Sequence, residues 1–226
     1  MPNFKQRHGG PELMDQPDIP KVDLHQNLRE LATINTWLGG HSAVWAGFKA
    51  LFKPNMCVVE LGSGGGDNLK YLRSRSSDQW TGIGVDLKQD CTDFAQGLSV
   101  RDLHFKTLDY RNFQPPSHIP TLMYTSLFCH HFSDEELLEM LKWLKEKATA
   151  GFFIADLHRH PLAYWSILFL TRCFSSSYLV KNDAPLSVLR GFKRNDWIKL
   201  LNSAGITQFQ VKWIWAFRWV VIVPPQ

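Results

Sequence analysis

Residues 57–72, with the sequence CVVELGSGGGDNLKYL, constrain the fold of this chain more than any other stretch. A short apolar run ends at Glu60, a glycine-rich turn follows, and Leu69 and Leu72 then recur at helical spacing. Strand, glycine turn and helix in this order open a nucleotide-binding α/β domain. Glycines permit positive φ angles and let a ligand approach the bare backbone. The stretch therefore predicts a ligand-binding turn at the start of a helix.

The residues around the turn discriminate between ligands. A P-loop needs Lys and Ser or Thr after its glycines, but Asp67 and Asn68 follow here. A dinucleotide fingerprint needs a third glycine for close packing of helix on strand, and that position is Asp67, a poor neighbour for a pyrophosphate. Glu60 at the entrance favours a positively charged ligand. S-adenosylmethionine (SAM) has an ammonium group, a sulfonium and no phosphate, so the charges favour SAM.

The segment ELGSGGG resembles the first motif of class I SAM-dependent methyltransferases, a strand followed by E/D-x-G-x-G-x-G. The resemblance implies a Rossmann-like, doubly wound α/β sheet of seven strands with a terminal antiparallel hairpin. It also implies SAM as cofactor and S-adenosylhomocysteine (SAH) as product. The matching motifs extend over about residues 55–223.

Acidic residues end the first three predicted strands. Ligands of open α/β sheets bind outside the carboxyl ends of the strands, where Glu60, Asp86 and Asp109 fall. Asp86 can accept both ribose hydroxyls, a role shared with NAD enzymes, and Asp109 in LDYRNF resembles the methyltransferase acid that binds the adenine amino group. Both acids also suit ordinary strand-end turns. The predicted cofactor-binding residues are Glu60, Gly62, Ser63, Gly64, Gly66, Asp86, Leu87, Asp109, Tyr110 and Ser126.

Histidines follow the fourth and fifth predicted strands, residues 119–126 and 151–155. The segments LFCHHFSDEELLEML and DLHRHPLAYW resemble the ubiquinone and menaquinone biosynthesis methyltransferases and their bacterial small-molecule relatives. A histidine pKa lies near neutrality, which suits a base that deprotonates a hydroxyl nucleophile. Structural hydrogen bonding and substrate orientation remain alternatives for each. The predicted catalytic candidates are His131, His130, His158 and His160.

The apolar run LAYWSILFLTRCF, residues 162–174, predicts a helix inside an inserted segment of about 157–192. In the resembled fold such an insertion commonly roofs the acceptor pocket, although packing against N-terminal helices is the alternative. Arg159 is expected to hold a carboxylate or phenolate, or to pair with Asp156. The aromatic residues expected in the roof are Tyr164, Trp165, Phe169 and Phe174.

The remaining segments complete the predicted organisation. Residues 1–54 are expected to form an irregular arm and two helices that pack on the core, either covering a ligand or serving stability alone. Residues 55–226 are expected to form the SAM-binding domain. A polar loop is predicted over 181–192 and a helix over 193–204. The last twenty residues predict two strands around Ala216, which suits the terminal hairpin.

Composition and charge limit the partners. The formal net charge is +4 without a block of Lys or Arg, so no nucleic-acid partner is expected. The Asn/Asp-Pro-Pro-aromatic motif of DNA and RNA base methylation is missing after the fourth strand, where residues 126–129 read SLFC. The four cysteines form no C-x-x-C pair, so neither a metal site nor a disulfide framework is predicted.

The first twenty residues contain no apolar leader, and the longest apolar run is too short to cross a bilayer. The expectation is therefore a cytoplasmic protein, with peripheral membrane contact and oligomeric state left open. An aromatic content of 13%, concentrated near the roof and termini, favours a small hydrophobic, aromatic acceptor methylated on oxygen or an activated ring carbon. Three alternatives remain: a SAM-binding protein without turnover, a nicotinamide oxidoreductase, and a methyltransferase for a membrane quinone or phenolic lipid.

Overall fold

The computed structural model describes residues 2–77 and 79–225. Met1, Asp78 and Gln226 lie outside the described residues, and Met1 and Gln226 are the outer ends of the predicted regions 1–54 and 55–226. Seven strands form one sheet in the order β3-β2-β1-β4-β5-β7-β6. The strands are β1 (Cys57–Leu61), β2 (Thr81–Asp86), β3 (Leu103–Thr107), β4 (Thr121–Ser126), β5 (Phe152–Leu157), β6 (Gln210–Ile214) and β7 (Arg218–Val223). β1 to β5 are parallel, and β7 runs antiparallel to β5 and β6. The predicted doubly wound sheet with a terminal hairpin is confirmed.

Eight α-helices connect and cover the strands in the described part of the chain. They are α1 (Lys21–Trp37), α2 (Gly40–Leu51), α3 (Asp67–Arg75), α4 (Gln89–Gln96), α5 (Asp134–Lys147), α6 (Pro161–Phe174), α7 (Tyr178–Arg190) and α8 (Arg194–Ser203). Single 3-10 turns lie at Leu13–Asp15, Tyr110–Asn112 and Cys129–His131. Among the helices described, none has the length and apolar character needed to span a membrane.

The core lies on both faces of the sheet. Side chains of β4 alternate between the faces, with Leu122 and Tyr124 packing beside α2 and α3, and Met123 packing beside α5 and α8. All six residues of β4 are buried, as expected for a central parallel strand covered on both sides. Burial of each large apolar side chain contributes about 1.5–3 kcal/mol. The sheet therefore gives a rigid base for the loops at its carboxyl edge.

The prediction of a polar loop over residues 181–192 is wrong, because α7 continues to Arg190. Asp183 accepts hydrogen bonds from Leu13 N at 2.8 Å and Met14 N at 2.9 Å. Ser187 Oγ donates to Glu12 Oε1 at 2.8 Å. The polar side chains of this helix thus bind the N-terminal arm instead of water. Their partners lie 169 to 175 residues earlier in the chain, so local composition could not reveal them.

The N-terminal arm, residues 2–20, crosses α7 and the carboxyl edge of the sheet. Arg7 donates to Phe132 O at 2.8 Å, and His8 N donates to Leu189 O at 3.1 Å. Lys88 Nζ donates to Gln16 O at 2.8 Å, which ties the arm to the loop after β2. The arm therefore lies over the edge of the sheet where ligands of this fold bind.

Candidate functional site

The glycine turn between β1 and α3 is held against β2 by its backbone. Gly62 N and Ser63 N donate to Val85 O at 2.8 and 3.1 Å. Gly62 has a φ of +68°, and a Cβ added there would lie 2.1 Å from the ring of Phe128. Both the backbone angle and the close approach therefore require glycine at this position. At its glycines, the turn presents backbone atoms without side chains directly before the start of α3.

Asp86 ends β2 and links that strand to the turn. Its Oδ2 accepts from Gly64 N at 2.8 Å, and its Oδ1 accepts from Lys88 N at 2.9 Å. Burial raises the pKa of Asp86, against the opposing effect of these backbone N–H groups. A backbone hydrogen bond from Leu87 lowers this pKa as well. Three N–H donors leave one of the about four lone pairs of the carboxylate, so it can still accept a hydroxyl group from a ligand. Leu87 beside it is 71% exposed.

Asp109 and Tyr110 follow β3 at the same edge. The Asp109 carboxylate accepts from Arg111 N at 2.9 Å and from Arg111 Nε at 3.1 Å through one oxygen, Oδ1. Tyr110 is buried edge-on to the rings of Phe128 and Phe132. Oδ2 of Asp109 remains free to accept a bond from a ligand.

A cavity of about 430 Å³ lies along the carboxyl edge of the sheet, between the glycine turn, α1, α6, α7 and the arm. It brings together most of the residues predicted from sequence for cofactor and base. Those that line it are Gly62, Ser63, Gly64, Asp86, Leu87, Asp109, Tyr110, Ser126, His130 and His131. Of the predicted cofactor residues, Glu60 and Gly66 lie outside its lining.

His130 faces this cavity from the 3-10 turn after β4 and is held by Asp156 at the end of β5. His130 Nδ1 lies 2.8 Å from Asp156 Oδ1, and the two residues are 3% and 0% exposed. Burial would raise the pKa of Asp156, but the charge and hydrogen bond of His130 lower it below the ordinary value. An ionised Asp156 accepts the proton on Nδ1 of His130, and Nε2 is then the acceptor of the neutral ring. This Nε2 lies 3.6 Å from Oε1 of Glu12.

His131, beside His130, is paired with a different carboxylate, that of Asp15 in the arm. His131 Nδ1 lies 3.1 Å from Asp15 Oδ1, and His131 Nε2 lies 3.9 Å from Glu12 Oε2. Burial alone would lower the pKa of His131, but the hydrogen bond to Asp15 and the charges of Glu12 and Asp15 raise it overall. His131 is therefore more readily protonated than an ordinary histidine.

Glu12, His130 and His131 offer atoms within 4.8 Å of one another, a spacing at which three such groups could hold a metal ion. The Glu12 carboxylate already accepts from Ser187 Oγ at 2.8 Å and lies 3.8 Å from Arg190 Nε. These contacts give Glu12 its own partners inside the protein. The absence of a metal site remains a prediction from the sequence.

Buried acceptor oxygens lie behind the glycine turn. Glu60 is fully buried and accepts from Asn68 Nδ2 at 2.8 Å through one oxygen, Oε1. Burial, and then the charge of Asp67, raise the pKa of Glu60 well above its ordinary value. Within residues 2–77 and 79–225, Asn68 Oδ1 has no hydrogen-bond donor. A positively charged donor group beside the turn would satisfy this oxygen.

The apolar part of the cavity lies between α1, α6 and α7. Ile167 and Val188 belong to a buried cluster against which Ile34, Leu157 and Ala184 pack. All five residues also line the cavity. This part of the space suits an apolar ligand surface.

Two predicted catalytic histidines lie outside the cavity lining. His160 Nδ1 accepts from Leu162 N at 3.2 Å and so caps α6. His158 packs 4.9 Å from the Trp219 ring, centre to centre, and burial lowers the pKa of His158 to about 4. The structure thus gives both histidines contacts away from the cavity, which His130 and His131 line.

The predicted acceptor residues also fall outside the lining. Arg159 is buried and pairs with Asp196 at 3.0 Å, so the expected alternative partner, Asp156, is wrong. Trp165 and Phe169 are 54% and 65% exposed because they lie on the outer face of α6. Tyr164 packs against Phe4 of the arm at 5.7 Å between ring centres. Ile167, on the other face of α6, lines the cavity instead.

Several cavity residues had no signal in the sequence analysis. They are Glu12, Asp15, Asn35, Asp67, Lys88, Arg190 and Arg218. The Pro and Gly content of the arm predicts an irregular segment, and this pattern does not mark its acids Glu12 and Asp15 as cavity residues. Asp67 was noted only as a departure from the dinucleotide fingerprint. The buried arginines would need to be recognised as charged residues within otherwise apolar stretches, as in RWVVIV at β7.

No family model matches the chain, and no curated protein matches it. Solved structures share its fold. Human N-acetylserotonin methyltransferase in complex with SAM superposes with a TM-score of 0.66 and 18% identity, covering 91% of this chain and 56% of that one. A SAM-dependent methyltransferase from Aquifex aeolicus superposes with a TM-score of 0.64 and 14% identity, covering 92% of this chain and 100% of the other. The plantazolicin methyltransferase BpumL, in complex with a triazolic substrate analogue and SAH, gives 0.67 and 14%, covering 94% and 93%.

At these identities the likeness establishes the fold alone. The chain has the fold of the class I SAM-dependent methyltransferases. The chain spans about half the length of the human enzyme. The narrower resemblance to ubiquinone and menaquinone enzymes finds no specific support among these structures.

Proposed function

We propose that this protein transfers a methyl group from SAM to the hydroxyl oxygen of a small, largely apolar, aromatic acceptor. One observation carries the proposal. The buried pair of His130 and Asp156 opens onto the same cavity as the glycine turn and Asp86. A cofactor wall and a proton acceptor thus share one enclosed space, which methyl transfer to a hydroxyl needs.

The residues around the turn fit SAM. Gly62 and Gly64 present bare backbone, and Asp86 keeps a lone pair for a ribose hydroxyl. The donor-free oxygen Asn68 Oδ1, in a residue that lines the cavity, suits an ammonium group and would sit badly beside a phosphate. Asp109 Oδ2 would accept the adenine amino group. This donor set supports SAM over a nicotinamide dinucleotide.

When bound, SAM supplies a methyl group already activated on a sulfonium. The protein then has to align the acceptor and remove its proton. Asp156 fixes the Nδ1–H tautomer of His130, and His130 Nε2 takes the hydroxyl proton as that oxygen accepts the methyl group. SAM would supply the methyl group to that oxygen and leave as SAH, and His130 would hold the proton that the acceptor loses as the methyl ether forms.

The apolar lining supports the class of acceptor. Ile34, Leu157, Ile167 and Val188 surround the space next to the base. A planar apolar ring would bury its surface there, at about 25 cal/mol per Å² of apolar surface. Methylation of an activated ring carbon would use the same space and remains an alternative to methylation of the hydroxyl oxygen.

An acceptor dissolved in a membrane is a second candidate, favoured by the outer face of α6. Leu162, Trp165 and Phe169 are 62%, 54% and 65% exposed. Their spacing of three and four residues puts these apolar side chains on one helix face, which suits contact with a lipid interface. A quinone or phenolic lipid could then enter beside α6. Flotation with anionic vesicles tests this: the wild type should float, and Trp165→Ser with Phe169→Ser should stay in the soluble fraction.

The main proposal is tested by mass spectrometry of acceptors incubated with SAM that bears a trideuterated methyl group. A panel of phenols, catechols and hydroquinones should yield at least one product with the labelled methyl on oxygen. His130→Gln should lower that yield about 100-fold, while the matched control His160→Gln should not. A yield that is the same in His130→Gln and wild type would contradict the proposed base.

A further inference from the structure

Arg218 is a buried arginine in the wall of the cavity. It is the first residue of β7, is 4% exposed, and pairs across the sheet with Leu157 of β5. Arg218 also pairs with Ile214 of β6, and it donates a hydrogen bond to Leu38. Of these neighbours, Leu157 and Leu38 pack on the apolar cluster of Ile167 and Val188. A permanent positive charge therefore lies within the apolar part of the cavity.

In the described part of the chain, no carboxylate lies within ion-pair distance of the Arg218 guanidinium. Its Nε donates to Leu38 O at a long 3.4 Å, and its buried Nη1 finds no acceptor among the described residues. Burial, the largest effect, lowers the pKa of Arg218 to about 10, while the more distant charge of Asp156 opposes this. The side chain thus stays charged at neutral pH, although desolvation opposes the charge.

The neighbouring Arg159 is a buried arginine that does have a carboxylate partner. Arg159 is 2% exposed and pairs with Asp196 at 3.0 Å. A buried charge without a partner destabilises the folded protein. We therefore expect such an arginine where a ligand supplies the missing negative charge. Arg218 has unused N–H groups and lines a cavity, which is the position of such a ligand.

The strand order separates the backbone of Arg218 from that of the glycine turn. β4 and β5 lie between β1 and β7 in the sheet. At about 4.8 Å per strand, the backbone of β7 is about 14 Å from that of β1. The neighbours of Arg218 are instead the apolar residues assigned above to the acceptor.

We propose that Arg218 binds a carboxylate on the acceptor, so that the substrates are aromatic hydroxy acids. This inference rests on the proposed function, because it concerns the acceptor of the same reaction. A planar guanidinium binds a carboxylate through two parallel hydrogen bonds, which fixes orientation as well as affinity. The apolar walls hold the ring, and the carboxylate end at Arg218 sets which hydroxyl reaches His130. The sequence analysis expected Arg159 to hold such a group, but Asp196 already occupies it.

The test is calorimetric binding of a matched probe pair to the SAH-saturated protein. The probes are 3-(4-hydroxyphenyl)propanoate and its uncharged amide. The wild type should bind the carboxylate at least tenfold more tightly than the amide. Arg218→Met should lose this preference, Arg218→Lys should keep part of it, and the exposed control Arg172→Met should keep all of it. Equal binding of the two probes by the wild type, or an intact preference in Arg218→Met, would overturn the proposal.

Titration of SAH into the same variants separates this inference from the proposed function. SAH should bind Arg218→Met within twofold of the wild type, which also shows that the variant is folded. A tenfold loss of SAH affinity with an unchanged probe preference would mean that Arg218 binds the cofactor carboxylate, and would overturn the inference. If Arg218→Met does not fold, the wild-type preference and Arg218→Lys decide. Failure of the wild type to bind SAH would instead contradict the proposed function.

Discussion

Asp156 Oδ1 lies 2.8 Å from His130 Nδ1, and both residues are excluded from solvent. The two belong to neighbouring parallel strands, β5 and the turn after β4, so the sheet itself fixes their separation. The lowered pKa of Asp156 keeps its charge, and that charge holds Nδ1 of the imidazole. Nε2 on the other side of the ring lies 3.6 Å from Glu12, which also lines the cavity.

Replacement of Asp156 by Asn should lower kcat about 100-fold, because the tautomer of His130 is no longer fixed. SAH affinity should stay within twofold, since Asp156 is not predicted to bind the cofactor. The control Asp93→Asn changes an acid on α4 outside the cavity lining and should leave kcat unchanged. Steady-state kinetics of both variants decide the point, and equal kcat values would mean that His130 is not oriented by Asp156.

Replacement of His131 by Ala should lower turnover at least tenfold with little loss of SAM affinity. His131 lines the cavity and connects it to Asp15 and Glu12 of the arm. The measurement is kcat together with the Kd for SAM. An unchanged rate would remove His131 from the reaction and leave it as an anchor for the arm.

Substitution of Gly62 by Ala should destabilise the protein by about 1–3 kcal/mol and remove SAH binding. The added Cβ would lie 2.1 Å from the Phe128 ring at a φ of +68°. Gly9 is the matched control, since a Cβ there has no atom within 4 Å. Urea unfolding should show a lower free energy of unfolding for Gly62→Ala and almost no change for Gly9→Ala. Comparable stabilities would show that the turn tolerates a side chain.

Removal of the Asp183 carboxylate should release the arm. Asp183→Ala deletes the acceptor of Leu13 N and Met14 N, so amide hydrogen exchange over residues 9–17 should accelerate at least tenfold. The exposed acid Asp90 provides the control Asp90→Ala. Turnover should fall with arm release because Glu12 and Asp15 leave the cavity. Unchanged exchange in Asp183→Ala would mean that other contacts hold the arm alone.

His158 should make the protein less stable as the pH falls. Its pKa is lowered from 6.5 to about 4, mainly by burial, so the unfolded chain binds a proton in this range and the folded chain does not. The stability from neutral His158 is present above pH 6.5 and is lost progressively toward pH 4. His158→Asn should therefore lose less stability than the wild type between pH 7 and 5, in urea unfolding. Exposed His104→Asn is the control, and parallel curves for all three proteins would contradict the account.

The carboxyl ends of parallel strands could be predicted from sequence because alternation of strand and helix fixes where they converge. This placed Asp86, Asp109, His130 and the glycine turn at one edge, and all of these line one cavity. The motif spacing is local, and each strand is a short apolar run between turn residues. Local information was sufficient there.

Contacts between distant segments could not be predicted in the same way. Glu12 reaches Ser187 across 175 residues, and only the folded chain brings the arm to the cavity. The spacing within α6 predicted a helix but not its inward face, since Ile167 and Phe169 are both apolar. The sequence predicts a polar loop over residues 181–192, yet bonds from the arm and the packing of Val188 stabilise a helix there. Tertiary contacts override local preference in these cases.

The central claim is that the cavity binds SAM through the glycine turn and Asp86 beside the buried His130. Isothermal titration of the purified protein with SAM, SAH and NADH in parallel tests it most directly. SAM and SAH should bind with micromolar affinity, Asp86→Ala should weaken both at least tenfold, Asp90→Ala should not, and NADH should not bind. Binding of NADH alone, or of none of the three, would contradict the account.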